Sequence, residues 1–391
     1  MHDFPLKLQN KLEERKSRDS FRELEISNGL IDFSSNDYLG FAKNEKLYAN
    51  TFQCLLNKGV TQNGASGSRL LSGNHVIYKE LEEKLTAVHQ VESALVFNSG
   101  YDANIGFFST VPQRNDIVFY DESIHASIRD GIKMGLANRY KFKHNDLVDL
   151  KLGIERILPA NRQGRNLKDS EIYVVTESVF SMDGDSPDLK KLTRLCKTVG
   201  AHLIVDEAHA IGVLGVNGIG LVQELGLQKQ LFARIVTFGK ALGGHGAAIL
   251  GSIELKNYLI NFARSFIYTT GLPPHTVANA VSAYAFLKSE EGQKEQDILK
   301  DNICLFKSKL ETLGLKKLFI PSNSAIHSCL VSGNEKVRSV SKKLADQGFS
   351  VKPILAPTVP EGKERLRFCL HSFNSSEEIG LVIQMLKRYL K

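Results

Sequence analysis

Between about residues 60 and 280, short apolar runs rich in β-branched side chains alternate with longer stretches whose apolar residues recur every three or four positions. The runs SALVFN (93–98), DIVFY (116–120), EIYVVTES (171–178), HLIVDE (202–207), RIVTF (234–238) and AAILGS (247–252) predict strands. HVIYKELEEKLTAVH (75–89) and DLKKLTRLCKTVG (188–200) predict helices between them. This alternation predicts an α/β fold: right-handed βαβ units on a mainly parallel sheet covered on both faces.

The flanks read differently. Residues 1 to about 50 open with an amphipathic helix in which Leu6, Leu8, Leu12 and Phe21 alternate with charges, followed by an extended piece around LIDFSSNDYLG (30–40). After GLPP (271–274) a long helical stretch runs to about 311. Strands near HSCLVSG (327–333) and ERLRFCLH (364–371) and a closing helix EEIGLVIQMLKRYLK (377–391) complete a smaller α+β region. The expected organisation is an N-terminal helix and arm (1–50), a large α/β domain (51–285) and a small C-terminal α+β domain (286–391). There is no internal repeat and no low-complexity linker.

Composition narrows the class. Of 391 residues, 42% are hydrophobic and 24% charged, which is ordinary for a globular chain. The net charge of +7 is spread along the sequence, and its densest cluster, RYKFKH (139–144), reads as a solvated face rather than a nucleic-acid groove. The five cysteines include no CxxC pair, so a reducing compartment is expected rather than a disulfide framework or a zinc site. MHDFPLKLQNKLEERKSRDSFR lacks the apolar core of a signal peptide, and no apolar run approaches the roughly 18 residues of a membrane span. A cytoplasmic location is the expectation.

The candidate chemistry sits at strand ends. HLIVDEAHAIGVLG (202–215) delivers Asp206 and His209, and RIVTFGKALGGHGAA (234–248) delivers Lys240. In open α/β sheets ligands bind beyond the carboxyl ends of the strands. A carboxylate, an imidazole and a lysine at one rim suit a cofactor with a ring nitrogen, a phenolate oxygen and an aldehyde, and pyridoxal 5'-phosphate has all three. VDEAH also fits a nucleotide-triphosphatase strand, but no GxxxxGK[ST] loop accompanies it, and Gly239-Lys240 is followed by Ala241. GKALGGHG lacks the GxGxxG of a dinucleotide site and reads as a tight turn that presents the lysine. No metal is expected, since His125 and His144 show no ligand spacing.

DFSSNDYLG, NSGYDAN, IHASIRDG, TESVFSMDGD, VDEAHAIGVLG, TFGKALGGHGAA, FARSFIYTTGLPP and APTVPEGKERLR follow one another in the order and spacing of a known family. Over nearly its full length the chain resembles the α-oxoamine synthases, pyridoxal-phosphate enzymes of fold type I. The resemblance implies that Lys240 holds the cofactor covalently and moves the substrate Cα proton. It implies that Asp206 pairs with the pyridine nitrogen, His209 with the phenolate oxygen, and that His125 stacks on the ring. Ser99, Gly100 and Tyr101, at a strand-to-helix turn, would receive the phosphate, with Ser181 and Thr237 also contacting the cofactor. Thr269 and Thr270 resemble residues that reach the phosphate of a neighbouring subunit, which implies a homodimer with shared sites. Asn36, Glu177 and Arg22 would meet substrate.

FARSFIYTTGLPP and APTVPEGKERLR are similar to the branch that condenses L-alanine with a pimeloyl thioester, carried by coenzyme A or an acyl carrier protein. Other branches use glycine or serine with other acyl thioesters. An aminotransferase on the same fold, or a scaffold without turnover, is the rival from another class. One departure stands out. Several family members carry an arginine three residues before the threonine of the PTVP segment, where it clamps the amino-acid carboxylate. Here that position is Leu355, before Thr358, which leaves Lys352 as the candidate cation and Arg367 as the next.

Overall fold

The computed structural model describes residues 4–18, 20–24, 29–162 and 170–390, with backbone alone at 158–162. The chain forms two compact units. The larger comprises Asn36–Ser181 and Asp185–Leu299, the smaller Met1–Ser35, Met182–Gly184 and Lys300–Lys391. Residues 36–50 and 286–299 therefore group with the larger unit. The helix Glu45–Asn57 packs there on the helix Pro274–Leu287, and Phe41 meets Phe286 edge-on at 5.0 Å.

Twelve strands follow one another along the described residues: β1 (Ile31–Asp32), β2 (Ser93–Phe97), β3 (Ile117–Asp121), β4 (Asn138–Phe142), β5 (Ile172–Glu177), β6 (His202–Asp206), β7 (Ala233–Thr237), β8 (Ala247–Gly251), β9 (Ile326–Leu330), β10 (Phe349–Ser350), β11 (Lys352–Ile354) and β12 (Arg365–Cys369). In the larger unit seven form one sheet in the order β2-β8-β7-β6-β5-β3-β4. Every neighbouring pair is parallel except those made by β8, which runs antiparallel to β2 and β7. In the smaller unit β11, β12 and β9 form an antiparallel sheet, and β1 pairs with β10.

All six strands expected from the apolar runs are present. Their continuous apolar character follows from burial on both faces. On β6, Ile204 enters one apolar cluster with Phe107, Ile128, Ile235 and Ile249, whereas Leu203 and Val205 enter another with Leu150, Leu192 and Val222. On β5, Tyr173 and Val175 take the first side, Ile172 and Val174 the second. Each such side chain contributes about 1.5–3 kcal/mol when fully buried.

Some expectations change. The charged run RYKFKH is largely exposed, as expected, but most of it forms a strand that was not expected, β4, an edge strand with Asn138–Lys141 exposed and Phe142 alone buried. With one strand neighbour and one covered residue, it carries no apolar pattern. The long stretch after GLPP is two helices, Pro274–Leu287 and Glu290–Thr312. The N-terminal helix ends at Ser17 and buries none of its residues, so Arg22 lies beyond it, exposed, in irregular chain. Among the described residues no helix is long and apolar enough to cross a membrane.

The residue after Asp206 is Glu207, fully buried, and its partner is Arg234 on β7, 1% exposed. Arg234 donates from Nε to Glu207 Oε2 at 2.9 Å, and its Nη2 contacts the same oxygen. The other carboxylate oxygen accepts Val222 N–H at 2.9 Å, and Arg234 Nη2 also donates to Ile219 O at 3.2 Å. Removing one partner of such a pair leaves an uncompensated buried charge. Arg234→Leu should therefore lower unfolding free energy by about 3–5 kcal/mol. Adding Glu207→Leu should recover part of that loss. Urea titration of both variants checks it, and a single replacement as mild as a surface change would contradict it.

Candidate functional site

The carboxyl ends of β5, β6 and β7 carry Glu177, Asp206 and Thr237 as their last residues. Together with the turn after β2 and the loop after β3 they surround a cavity of about 220 Å³ in the larger unit. Ser99, Gly100, Tyr101, His125, Glu177, Asp206, His209, Thr237 and Lys240 all line it.

Lys240 is presented by the connection between β7 and β8. Phe238 N–H bonds Gly246 O at 2.9 Å, Gly244 N–H bonds Phe238 O at 2.8 Å, and Gly243 N–H bonds Lys240 O at 2.8 Å. Gly243 has φ +64, and a Cβ there would lie 2.2 Å from the backbone nitrogen of Ala42, so glycine is required. The apolar run before Lys240 and the glycines after it thus anchor and turn one lysine at the rim.

Asp206 is buried but well held. Asn104 Nδ2 donates to Oδ2 at 3.1 Å, and Ala208 N–H donates to Oδ1 at 2.9 Å. The same Asn104 amide donates to Ser127 Oγ at 2.9 Å, and Ser127 Oγ lies 2.7 Å from His125 Nδ1. Ser127 N–H also points at Nδ1, at 3.2 Å, which makes that nitrogen an acceptor. Burial lowers the His125 pKa, the Asp206 charge opposes this, and Lys240 adds to the lowering. The ring is thus set up to be neutral, as a stacking partner should be. His209 Nδ1 lies 2.7 Å from the hydroxyl of the buried Tyr38, which is itself 3.2 Å from Asn36 Oδ1. Asn36 is in this way one residue removed from the cavity wall.

Glu177 is strongly perturbed. Burial and the nearby Asp206 charge push its carboxyl up to about 8, against Lys240 and the backbone N–H of His125, which it accepts. Near neutral pH it carries a proton.

Donors for a phosphate sit at the opposite end. Ser99 caps the nine-residue helix Gly100–Phe108, its Oγ accepting Asp102 N–H at 3.0 Å. The first-turn N–H groups of such a helix are open to an anion. Thr237 Oγ1 is buried with no hydrogen-bond partner, and a Cβ on Gly100 would lie 2.8 Å from Thr237 Cγ2. An unmet hydroxyl, a helix N-terminus and a glycine that keeps the approach open fit a phosphate, and Asp206 and Lys240 fit a pyridine nitrogen and an aldehyde. The residues present fit pyridoxal phosphate.

The remaining expected residues lie apart from this lining. Ser181 is buried nearby in sequence. Thr269 Oγ1 and Thr270 O accept from Asn98 Nδ2 at 3.0 and 2.6 Å, beside the turn that bears Ser99. Arg22, Lys352 and Thr358 belong to the smaller unit and are exposed. There β11 ends at Ile354, so Leu355 lies outside the strand, and Lys352 pairs in register with the buried Arg367. Sequence reasoning passed over Tyr38, Asn104 and Ser127. Each stands inside a quoted motif (SSNDYLG, NSGYDAN, IHAS), but nothing in those strings says which polar residue the fold turns inward.

The chain matches the family described as Aminotransferase class I and II over residues 28–385. It is 38% identical to an 8-amino-7-oxononanoate synthase of Emericella nidulans, covering 100% of this chain and 98% of that one. Among solved structures, a serine palmitoyltransferase of S. paucimobilis with a bound PLP–myriocin aldimine superposes with a TM-score of 0.86 at 26% identity, covering 98% of this chain and 96% of that one. An 8-amino-7-oxononanoate synthase of Francisella tularensis gives 0.76 at 28% identity, covering 93% and 98%.

The raised Glu177 pKa has a thermodynamic sign. Between about pH 4.5 and 8 the folded chain keeps a proton that the unfolded chain releases, so this group's contribution is fully present at low pH and is lost as pH rises through about 8. Glu177→Gln cannot titrate. In cofactor-free protein, its stability relative to wild type should therefore rise by at least ~1 kcal/mol from pH 5 to pH 8.5. Urea unfolding at the two pH values measures this, and a pH-independent difference would place the proton elsewhere.

Proposed function

The chain belongs to the α-oxoamine synthases, within the class I and II aminotransferase family, and from this we propose that it condenses L-alanine with a pimeloyl thioester, releasing CO2 and free thiol and yielding 8-amino-7-oxononanoate. It is a pyridoxal-phosphate-dependent acyltransferase. The observation that carries the reading is the meeting of Lys240, Asp206, His209 and His125 at one small cavity. The relative sharing 38% identity supports alanine and the pimeloyl chain, as a name borne by that protein.

Bound in this cavity, pyridoxal phosphate supplies an aldehyde for amine exchange and a ring that takes up carbanion electron density. The chain's own residues do the rest. The carboxylate of Asp206 would hold the ring N–H, the more firmly because Asn104 and Ala208 already fix both its oxygens. His125 would cover one ring face, and His209, steadied by Tyr38, would meet the phenolate oxygen. Ser99, Gly100, Tyr101 and Thr237 would hold the phosphate end, and Ser181 is a further cofactor contact in this reading. Lys240 removes the proton at the amino-acid Cα and returns it after loss of CO2. Glu177, protonated near neutral pH, can donate a hydrogen bond to a developing oxyanion on the acyl group. Asn36, Arg22 and Thr358 are the further substrate contacts proposed. For the amino-acid carboxylate, Lys352 or its ladder neighbour Arg367 takes the place of the clamp that Leu355 cannot make.

The likeness to a serine palmitoyltransferase favours a second reading, serine with a longer acyl thioester. Crossing alanine, glycine and serine with pimeloyl, acetyl, succinyl and palmitoyl thioesters separates the two. Alanine with the pimeloyl thioester should exceed every other pair at least tenfold in kcat/KM, read by thiol release and product mass. Serine with palmitoyl thioester in first place would assign the other branch. Coenzyme A and carrier-protein thioesters in the same panel identify the acyl carrier.

Thr269 and Thr270, tied to Asn98 at the phosphate end, are proposed to complete the site of a second copy. Lys240→Ala and a Thr269→Ala/Thr270→Ala double variant should each be inactive as homodimers. After subunit exchange the mixture should recover up to about half of wild-type activity per hybrid, because one of two sites becomes whole. Proven exchange without recovery would confine those threonines to their own subunit.

A further inference from the structure

His144 lies just beyond the edge strand β4 and takes no part in the cavity, yet both its ring nitrogens are engaged. Nδ1 is 2.9 Å from Asp121 Oδ1, and Nε2 is 2.9 Å from Asp185 Oδ2. Its ring stands edge-on to Phe180, with centroids 4.4 Å apart at 87°. The neighbouring Asn145 repeats the bridge: its N–H donates to Asp121 Oδ2 at 2.7 Å and its side-chain amide to Asp185 Oδ2 at 2.7 Å. A ring that donates from both nitrogens to two carboxylates must be a cation. Burial alone would lower its pKa, but the hydrogen bonds and charges of Asp121 and Asp185 raise it to about 10.

The two carboxylates belong to segments that carry site residues. Asp121 is the last residue of β3, 1% exposed, and its Oδ1 accepts Ser123 N–H at 2.8 Å, which shapes the loop leading to His125. Asp185 accepts Phe180 N–H on its backbone oxygen at 3.0 Å, which closes the turn that holds Ser181. The His125 loop is also tied to β5 through the carboxylate of Glu177. Without a cation between them, Asp121 and Asp185 would confront each other as like charges in partly buried surroundings, and both turns would relax away from it.

We propose that His144 is a positioning residue for the reaction: by bridging Asp121 and Asp185 it fixes the two turns that present His125 and Ser181 to the cofactor. This rests on the reading that those two residues meet the cofactor. The bridge acts through those two segments, not in the chemistry, so it sets how firmly the cofactor is held.

Holoenzyme variants His144→Gln and Asp185→Asn test it. The readouts are cofactor dissociation constant, visible circular dichroism of the bound cofactor, kcat, KM and Tm. His144→Gln should weaken cofactor binding at least tenfold, change the visible dichroism and lower kcat at least tenfold, with KM for the acyl thioester moving less than threefold. Asp185→Asn should shift the same readouts in the same direction by a smaller factor, and it decides the matter if His144→Gln does not fold. A lowered Tm with unchanged cofactor affinity and dichroism in the folded variants would reduce His144 to a structural role and overturn the proposal. His125→Ala and Ser181→Ala, measured in parallel, separate the two layers. If these leave cofactor affinity and dichroism unchanged, the underlying assignment falls and the inference with it. If they alter both while the His144 and Asp185 variants do not, the positioning role alone falls.

Discussion

A strand covered on both faces can carry a polar side chain in its interior only where a buried partner satisfies it, as Glu207 does for Arg234 on β7. In the large sheet this constraint governs β5 and β6, whose apolar residues divide between two clusters, and β7, which adds Ala233 and Ile235 to one of them. Polar groups left open to a ligand are then confined to the last residue of each strand or to the chain just beyond it. Glu177, Asp206 and Thr237 occupy those last positions, and His209 and Lys240 follow within three residues. Because β5, β6 and β7 are parallel neighbours, their ends fall on one rim, and a single cavity collects what three distant stretches of sequence supply.

Crowding ionisable groups on a rim with little water makes each one's state depend on the others. Asp206 keeps two neutral donors and stays available to a cation. Its charge, together with burial, denies Glu177 a second negative charge beside it. His125, accepting at Nδ1 and desolvated, is driven toward the neutral form. Environment alone thus separates two neighbouring carboxyl groups, by pushing the Glu177 carboxyl up while Asp206 keeps its hydrogen-bond donors.

The strands of the large sheet were legible because burial on both faces leaves an unmistakable apolar run, and the candidate residues Asp206, His209 and Lys240 because they follow at the ends of such runs. β4 was not, since an edge strand with one buried residue has no pattern to read. Tyr38, Asn104 and Ser127 were hidden for a related reason. They lie in helix or loop, where only packing decides which polar side chain turns toward Asp206, His125 or His209. The smaller unit was the least legible for chemistry. Lys352 and Arg367 sit directly across a ladder, yet one is exposed and the other buried, a difference that no spacing rule between positions 352 and 367 contains.

The antiparallel course of β8 has a consequence for how the site comes into being. Parallel neighbours need a crossover that spans many residues, whereas β7 and β8 are joined by residues 238–246 alone. Closing so short a loop costs the least chain entropy of any pairing in the sheet, far less than bringing Ser93 against Gly251 on the other side of β8. The hairpin that bears Lys240 is thus the most locally encoded part of the sheet. Asp206 and Glu177 depend instead on contacts between segments farther apart along the chain. In contact-order terms, Lys240 sits on the most local pairing of the sheet and its electrostatic surroundings on less local ones.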